Sequence, residues 1–145
     1  MKIQYCSDLH LEFPDNRRYF SGYPLVPTGE ILLIAGDIYH LGPAFFELSF
    51  FDFVSQEFEA VYLIPGNHEF YGGFDSQIGL EIGYRIELRN NVFLVNNTTI
   101  PYKNVNLIFS TLWSKIDSQA DAIVQYMKDY RLIKFGKRIL SVLDY

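Results

Sequence analysis

At 145 residues, 49% hydrophobic and 17% aromatic, the chain is long and apolar enough for one domain with a sizeable core, which excludes a disordered polymer. A net charge of −5 excludes broad nonspecific binding to a nucleic-acid backbone, which needs clustered Lys and Arg, but not a small phosphorylated substrate held by a metal. One cysteine, Cys6, rules out an intrachain disulfide, fits a reducing compartment, and reads as a small buried apolar residue of the first strand.

In chain order, Lys2–Cys6 is a short apolar run that predicts a strand, ending in Ser7-Asp8-Leu9-His10. Glu12–Gly29, punctuated by Pro14, Asp15, Asn16, Gly22, Pro24, Pro27 and Gly29, reads as a loop. Ile31–Ala35 is uninterrupted apolar sequence, the pattern of a strand buried on both faces, and ends in Gly36-Asp37. Pro43 sits where a helix begins, and Ser49, Asp52, Gln56 and Glu59 leave one thin polar stripe on a Phe-rich helix over Ala44–Phe58. Ala60–Ile64 is a third strand and delivers Pro65-Gly66-Asn67-His68-Glu69. Gln77–Arg89 alternates at strand period, with Gly79 and Gly83 weakening a helix, and reads as extended or irregular.

Val92–Val95 and Thr98–Tyr102 predict a hairpin about Asn96-Asn97, and Val105–Leu112 a further strand ending at Trp113, which reads as core or site wall. Ile116, Ala120, Ile123, Val124 and Met127 share one face of a helix over Asp117–Leu132, capped by Ser114 or Asp117. Phe135–Tyr145 is too short to classify. No segment is apolar enough to span a membrane, and the N-terminus runs into a strand without a basic-then-apolar leader, so a cytoplasmic protein is expected.

The informative pattern is a coincidence of strand ends. Three apolar strands, about one β-α-β unit apart, finish in Asp8-x-His10, Gly36-Asp37 and Gly66-Asn67-His68, and parallel strands in register bring such ends together. The chain has three histidines, each at or just after one of these ends. Carboxylate, imidazole and amide oxygen without thiolate suit Mn, Fe, Zn or a similar divalent ion. Alternate residues of extended backbone point the same way, so Asp8 and His10 can reach one ion. Asp37, after a glycine that permits close approach, is placed to bridge two ions; Asn67 offers a neutral carbonyl, which frees His68 to face substrate. Glu69 reads as a hydrogen-bond acceptor holding the loop, and His40 as a residue outside the ligand set.

These three strings, SDLH, AGD and PGNHE, in this order and spacing, strongly resemble the calcineurin-like metallophosphoesterases. The resemblance implies an α/β fold, specifically an α/β/β/α sandwich, spanning residues 1–145 as one domain with its C-terminal part missing. It implies a dinuclear centre in which Asp8, His10 and Asp37 hold one ion, Asp37 and Asn67 the second, and His68 stabilises or protonates the leaving oxygen. The implied reaction is hydrolysis of phosphate mono- or diesters by metal-bound hydroxide, the two ions clamping attacking and leaving oxygens. The family pattern continues with a lone His and a Gly-His-x-His motif, and this chain has no histidine after His68. The second ion therefore keeps two ligands. The alternative expectation is a catalytically incomplete member with one ion or none, serving as a metal- or phosphate-binding or assembly module and pairing with a second copy that covers the missing part.

Overall fold

A computed structural model describes residues 1–116 and 119–144. Four strands, β1 (Ile3–Cys6), β2 (Ile31–Ala35), β3 (Ala60–Ile64) and β5 (Val92–Asn96), run parallel, and β4 (Tyr84–Arg89) pairs antiparallel with β5, giving the order β1-β2-β3-β5-β4. The fold is α/β. The register sets Cys6 beside Ile34, and Ala35 beside Ile64, so the three polar strand ends leave the sheet at one level. The uninterrupted apolar runs are central strands: β5 is buried along its whole length and β3 for all but its last residue.

Each face of the sheet has its own core. Leu32, Ile34, Val61, Leu63, Val92 and Leu94 pack under the helices with Phe45, Phe51 and Val54. Ile31, Ala60, Tyr62, Phe93 and Val95 meet Leu107 and Phe109 of a second sheet, the hairpin β6 (Thr98–Tyr102) and β7 (Val105–Phe109). The layers are helix, sheet, sheet; the outer face of the hairpin is open, with Ile108 79% exposed. Among the described residues no helix is long and apolar enough to cross a membrane.

Several expectations are corrected. Within Glu12–Gly29 lies a helix, α1 (Pro14–Gly22), with Pro at its start and Asp15 in its first turn. It buries none of its residues, so it carries no apolar periodicity to read. The Phe-rich helix is two: α2 (Pro43–Phe46) and α3 (Ser49–Glu57), separated by an extended Leu48. Positions six apart on one helix point about 120° apart; the break lets Phe45 and Phe51 both reach the core, their rings 5.1 Å apart. The expected hairpin about Asn96-Asn97 does not form. The left-handed Asn97 carries the chain from one sheet to the other, and both side-chain amides donate to the Gly79 carbonyl.

β7 stops at Phe109, where Thr111 turns away to the Asn96 side chain and the Pro65 carbonyl. The helix expected over Asp117–Leu132 is α4 (Ala120–Tyr126) and α5 (Asp129–Leu132), broken at an extended Met127; Asp117 lies outside the described residues. Gln77–Arg89 divides into a 3-10 turn, Ser76–Leu80, and β4. The unclassified tail forms a ribbon of β8 (Lys134–Phe135) and β9 (Arg138–Ile139). Its docking through Ser76 Oγ to the Lys134 carbonyl and Gly136 N–H to Asp75 brings α5 to the carboxyl end of β3.

Candidate metal centre

Backbone hydrogen bonds carry the parallel register past the end of the sheet. The Asp8, His10 and Leu11 N–H groups donate to the carbonyls of Gly36, Asp37 and Ile38 at 3.1, 2.9 and 2.7 Å. The segment is not extended, however. Asp8, His10 and Asp37 have φ of 56°, 46° and 58°, the left-handed region that non-glycine residues visit rarely, with Asp and His among those that do. Asp8 and His10 therefore reach one point by left-handed backbone rather than by strand alternation. Ligand atoms of Asp8, His10 and Asp37 all lie within 4.8 Å of one another, and His10 Nε2 is 3.8 Å from Asp8 Oδ1.

Two glycines let the second and third corners close up. A Cβ on Gly36, itself at φ +81°, would sit 2.6 Å from the Gly66 nitrogen. A Cβ on Gly66 would sit 2.9 Å from Asp37 Cγ and closer still to its Oδ1. Glu69 locks the two loops from beneath. It is fully buried, and its carboxylate accepts from the backbone N–H of Asp37 (2.9 Å), Ile38 (2.8 Å) and Gly66 (2.7 Å). Burial pushes this carboxyl up to about 7, and the three N–H donors oppose the rise. The role assigned to Glu69 from sequence is the one its contacts describe.

Asn67 and His68 follow on a 3-10 turn. The Asn67 amide nitrogen donates to Asp129 Oδ1 and to the Tyr71 hydroxyl, each at 2.9 Å, and Tyr71 donates to the same Asp129 oxygen. A carboxylate oxygen can only accept, so it is the amide NH2 that faces Asp129, leaving Asn67 Oδ1 for another partner. Burial, followed by Asp129, pushes the Tyr71 hydroxyl well above its ordinary range, which keeps it a donor. The His68 backbone N–H donates to Asp37 Oδ1 at 3.0 Å. The His68 ring stacks against Tyr71 and meets His10 edge-on, each at 4.4 Å between centroids.

Sequence reasoning missed two acidic residues. Glu12, read as loop, has a side chain 6% exposed; its Oε1 lies 2.7 Å from His68 Nδ1, 3.1 Å from His10 Nδ1 and 4.0 Å from His40 Nε2. Asp129, 5% exposed, sits on a helix otherwise read from its apolar face. Its burial beside Asn67 depends on the docking of α5 and has no local signal. His40 stands at the edge of the cluster, 37% exposed in its side chain. Trp113 packs against the core and lines a cavity of about 390 Å3 between Asn67 and α4.

Two carboxylates and an imidazole within 4.8 Å fit a divalent cation. Asp8, His10 and Asp37 could hold the first ion, and Asp37 with Asn67 a second. The calcineurin-like phosphoesterase family model matches residues 1–132. The chain is also 31% identical over 147 residues to uncharacterized protein L509 of Acanthamoeba polyphaga mimivirus, an alignment covering 91% of this chain and 51% of that protein. The chain thus spans about half the length of this relative. No solved structure matches it.

Proposed function

The chain belongs to the calcineurin-like phosphoesterase family, and from that premise we propose that it hydrolyses phosphate mono- or diesters at a centre of two divalent ions, Mn, Fe, Zn or similar. The observation that carries the reading is the meeting of Asp8, His10 and Asp37 within 4.8 Å, with the His68 backbone on Asp37 Oδ1. Asp8, His10 and Asp37 would hold one ion, and Asp37 with Asn67 the second. Bound there, divalent ions supply Lewis acidity and a nucleophile at neutral pH. The protein's own residues do the rest. Asp8 and Asp37 neutralise the cations, Glu69 keeps the loops bearing Asp37 and Asn67 in fixed relation, and His68 stabilises or protonates the departing ester oxygen. A single cysteine suits a reducing, cytoplasmic setting.

The absence of any histidine beyond His68 favours a second reading for the 145 residues by themselves. Here they hold one ion firmly and a second weakly, and act as a metal- or phosphate-binding module until ligands from elsewhere, a second copy included, complete the centre. Metal analysis of the purified chain after incubation with Mn or Zn separates the two: two tight ions support the first reading, one or none the second. For the first, the chain turns over an aryl phosphate mono- or diester with added Mn. His68→Ala then lowers kcat by about 10²-fold or more with metal content unchanged. A metal-loaded chain without turnover, or a His68→Ala variant as active as wild type, refutes it.

A further inference from the structure

Glu12 holds both functional imidazoles, although it lies two residues beyond the Asp8-x-His10 motif. Its Oε1 is within hydrogen-bond reach of His68 Nδ1 (2.7 Å) and His10 Nδ1 (3.1 Å), while Oε2 is buried without a partner from another residue among those described. We propose that Glu12 is a positioning residue that fixes His10 and His68 in one tautomer, Nδ1–H on the shared carboxylate oxygen, so that Nε2 of each ring is the nitrogen left for ion or substrate. The roles of the two histidines rest on the phosphoesterase reading; the geometry does not.

The reasoning is one of donors and acceptors. An ionised carboxylate has no proton to donate, so a nitrogen facing it must carry one. One oxygen lies within hydrogen-bond reach of both ring nitrogens, and each nitrogen would set a lone pair against that oxygen unless it carried the proton. An almost wholly buried carboxylate without such partners would be costly. The two N–H groups are therefore what the site offers in exchange for burying it. For His10 the nitrogen left over, Nε2, lies on the side of Asp8 Oδ1, at 3.8 Å and so beyond hydrogen-bond distance, where both can face one cation. A hydrogen bond at the far nitrogen also raises the basicity of a ligating imidazole and fixes its plane.

The placement of Glu12 is built in from outside the site. Asn16 and Arg17 of α1 donate to the carbonyls of Leu9 and Leu11 at 3.1 and 2.7 Å, and Arg17 reaches the Glu12 carbonyl at 3.4 Å. Leu11 is buried in the core immediately before it. The surface helix, with no fully buried residue of its own, thereby clamps the backbone that delivers Glu12.

The deciding measurement, the tautomer of each ring, needs neither metal nor turnover. In the metal-free, 15N-labelled full chain at about pH 8, where an ordinary imidazole is neutral, long-range 1H–15N spectra report the tautomer of each ring; His40→Gln assists assignment. The expected result is Nδ1–H for both His10 and His68. Glu12→Met, similar in size and without an acceptor, shifts at least one ring towards Nε2–H, and Glu12→Gln, which keeps an acceptor oxygen, restores Nδ1–H. Zinc affinity falls about 10- to 100-fold in the Met variant and recovers in the Gln variant. Nε2–H on either ring in the wild type overturns the proposal, whether or not the variants fold. So does a folded Glu12→Met protein that keeps Nδ1–H on both. Failure of the wild-type chain to bind zinc would count against the phosphoesterase reading and leave the tautomer result to decide this one.

Discussion

Glu69→Gln removes one acceptor from a carboxylate that serves three backbone donors on two loops. The substitution keeps size and shape, but it also removes a charge whose burial raises this carboxyl, so global stability mixes two opposed effects. Oε2 accepts from Asp37 and Gly66 N–H, Oε1 from Ile38 N–H. The amide adopts the orientation that costs less, keeping its oxygen on the first two and turning its NH2 to Ile38. One buried donor is then orphaned against another donor, at about 1–3 kcal/mol. The check is therefore amide hydrogen exchange in both proteins, metal-free, at about pH 8, where the wild-type carboxyl, pushed up to about 7, is mostly ionised. The Ile38 N–H should exchange about 5- to 100-fold faster in the variant, the ratio to which one orphaned bond corresponds. Unchanged exchange at Ile38 would refute the idea that Glu69 fastens the loops.

Three further outcomes follow from other parts of the molecule. Gly66→Ala places a methyl group against the Asp37 carboxylate; zinc or manganese affinity by calorimetry should fall on the order of tenfold or more, and unchanged affinity would show that Asp37 is not a ligand. Phe51→Ala empties a fully buried site beside Phe45 and Phe50 and should cost about 3–5 kcal/mol by urea denaturation of the metal-free protein; a loss under about 1 kcal/mol would mean the helix layer is not the core. Glu30 is held down from 4.5 to about 2 by Lys103, the Lys2 backbone N–H and the N-terminus. Because its folded pKa is depressed, its contribution is present above 4.5 and lost as pH falls towards 2. The Tm gap between wild type and Glu30→Gln should be constant above about pH 5 and close in that window; a gap that persists at pH 2 contradicts the ion pairing.

What could be read from the sequence, and what could not, divides along the range of the interactions. Apolar runs ending in polar strings locate β1, β2 and β3, and parallel register does the rest, because strands in register end at one level. The Asp8–Asp37 neighbourhood follows from that rule alone. The backbone conformation did not: Asp8 and His10 are left-handed, and a strand-period argument cannot see a φ of 56° or 46°. Glu12 meets His68 across 56 residues, and Asp129 meets Asn67 across 62. Such pairs have no spacing that a local pattern can express. α1 is hidden for a different reason: it is held by Asn16 and Arg17 reaching neighbouring carbonyls and by one aromatic ring, Phe20 against Phe50 and Phe53, which is too little to make an apolar stripe. The Asn96-Asn97 turn was misread because the same amide-rich dipeptide that closes a hairpin can also carry a chain between sheets.

The left-handed residues at the rim bear on how this protein can be improved. Each of Asp8, His10 and Asp37 holds a conformation that costs a side-chain-bearing residue on the order of 1 kcal/mol, and glycine would hold it without that cost. A library selected only for resistance to heat, without metal, is thus pulled towards glycine at the positions proposed to bind the ions. Its most robust members would be those least able to bind them. Selection in the presence of the ion would reverse that pull, since binding then rewards the ligand side chains that glycine lacks.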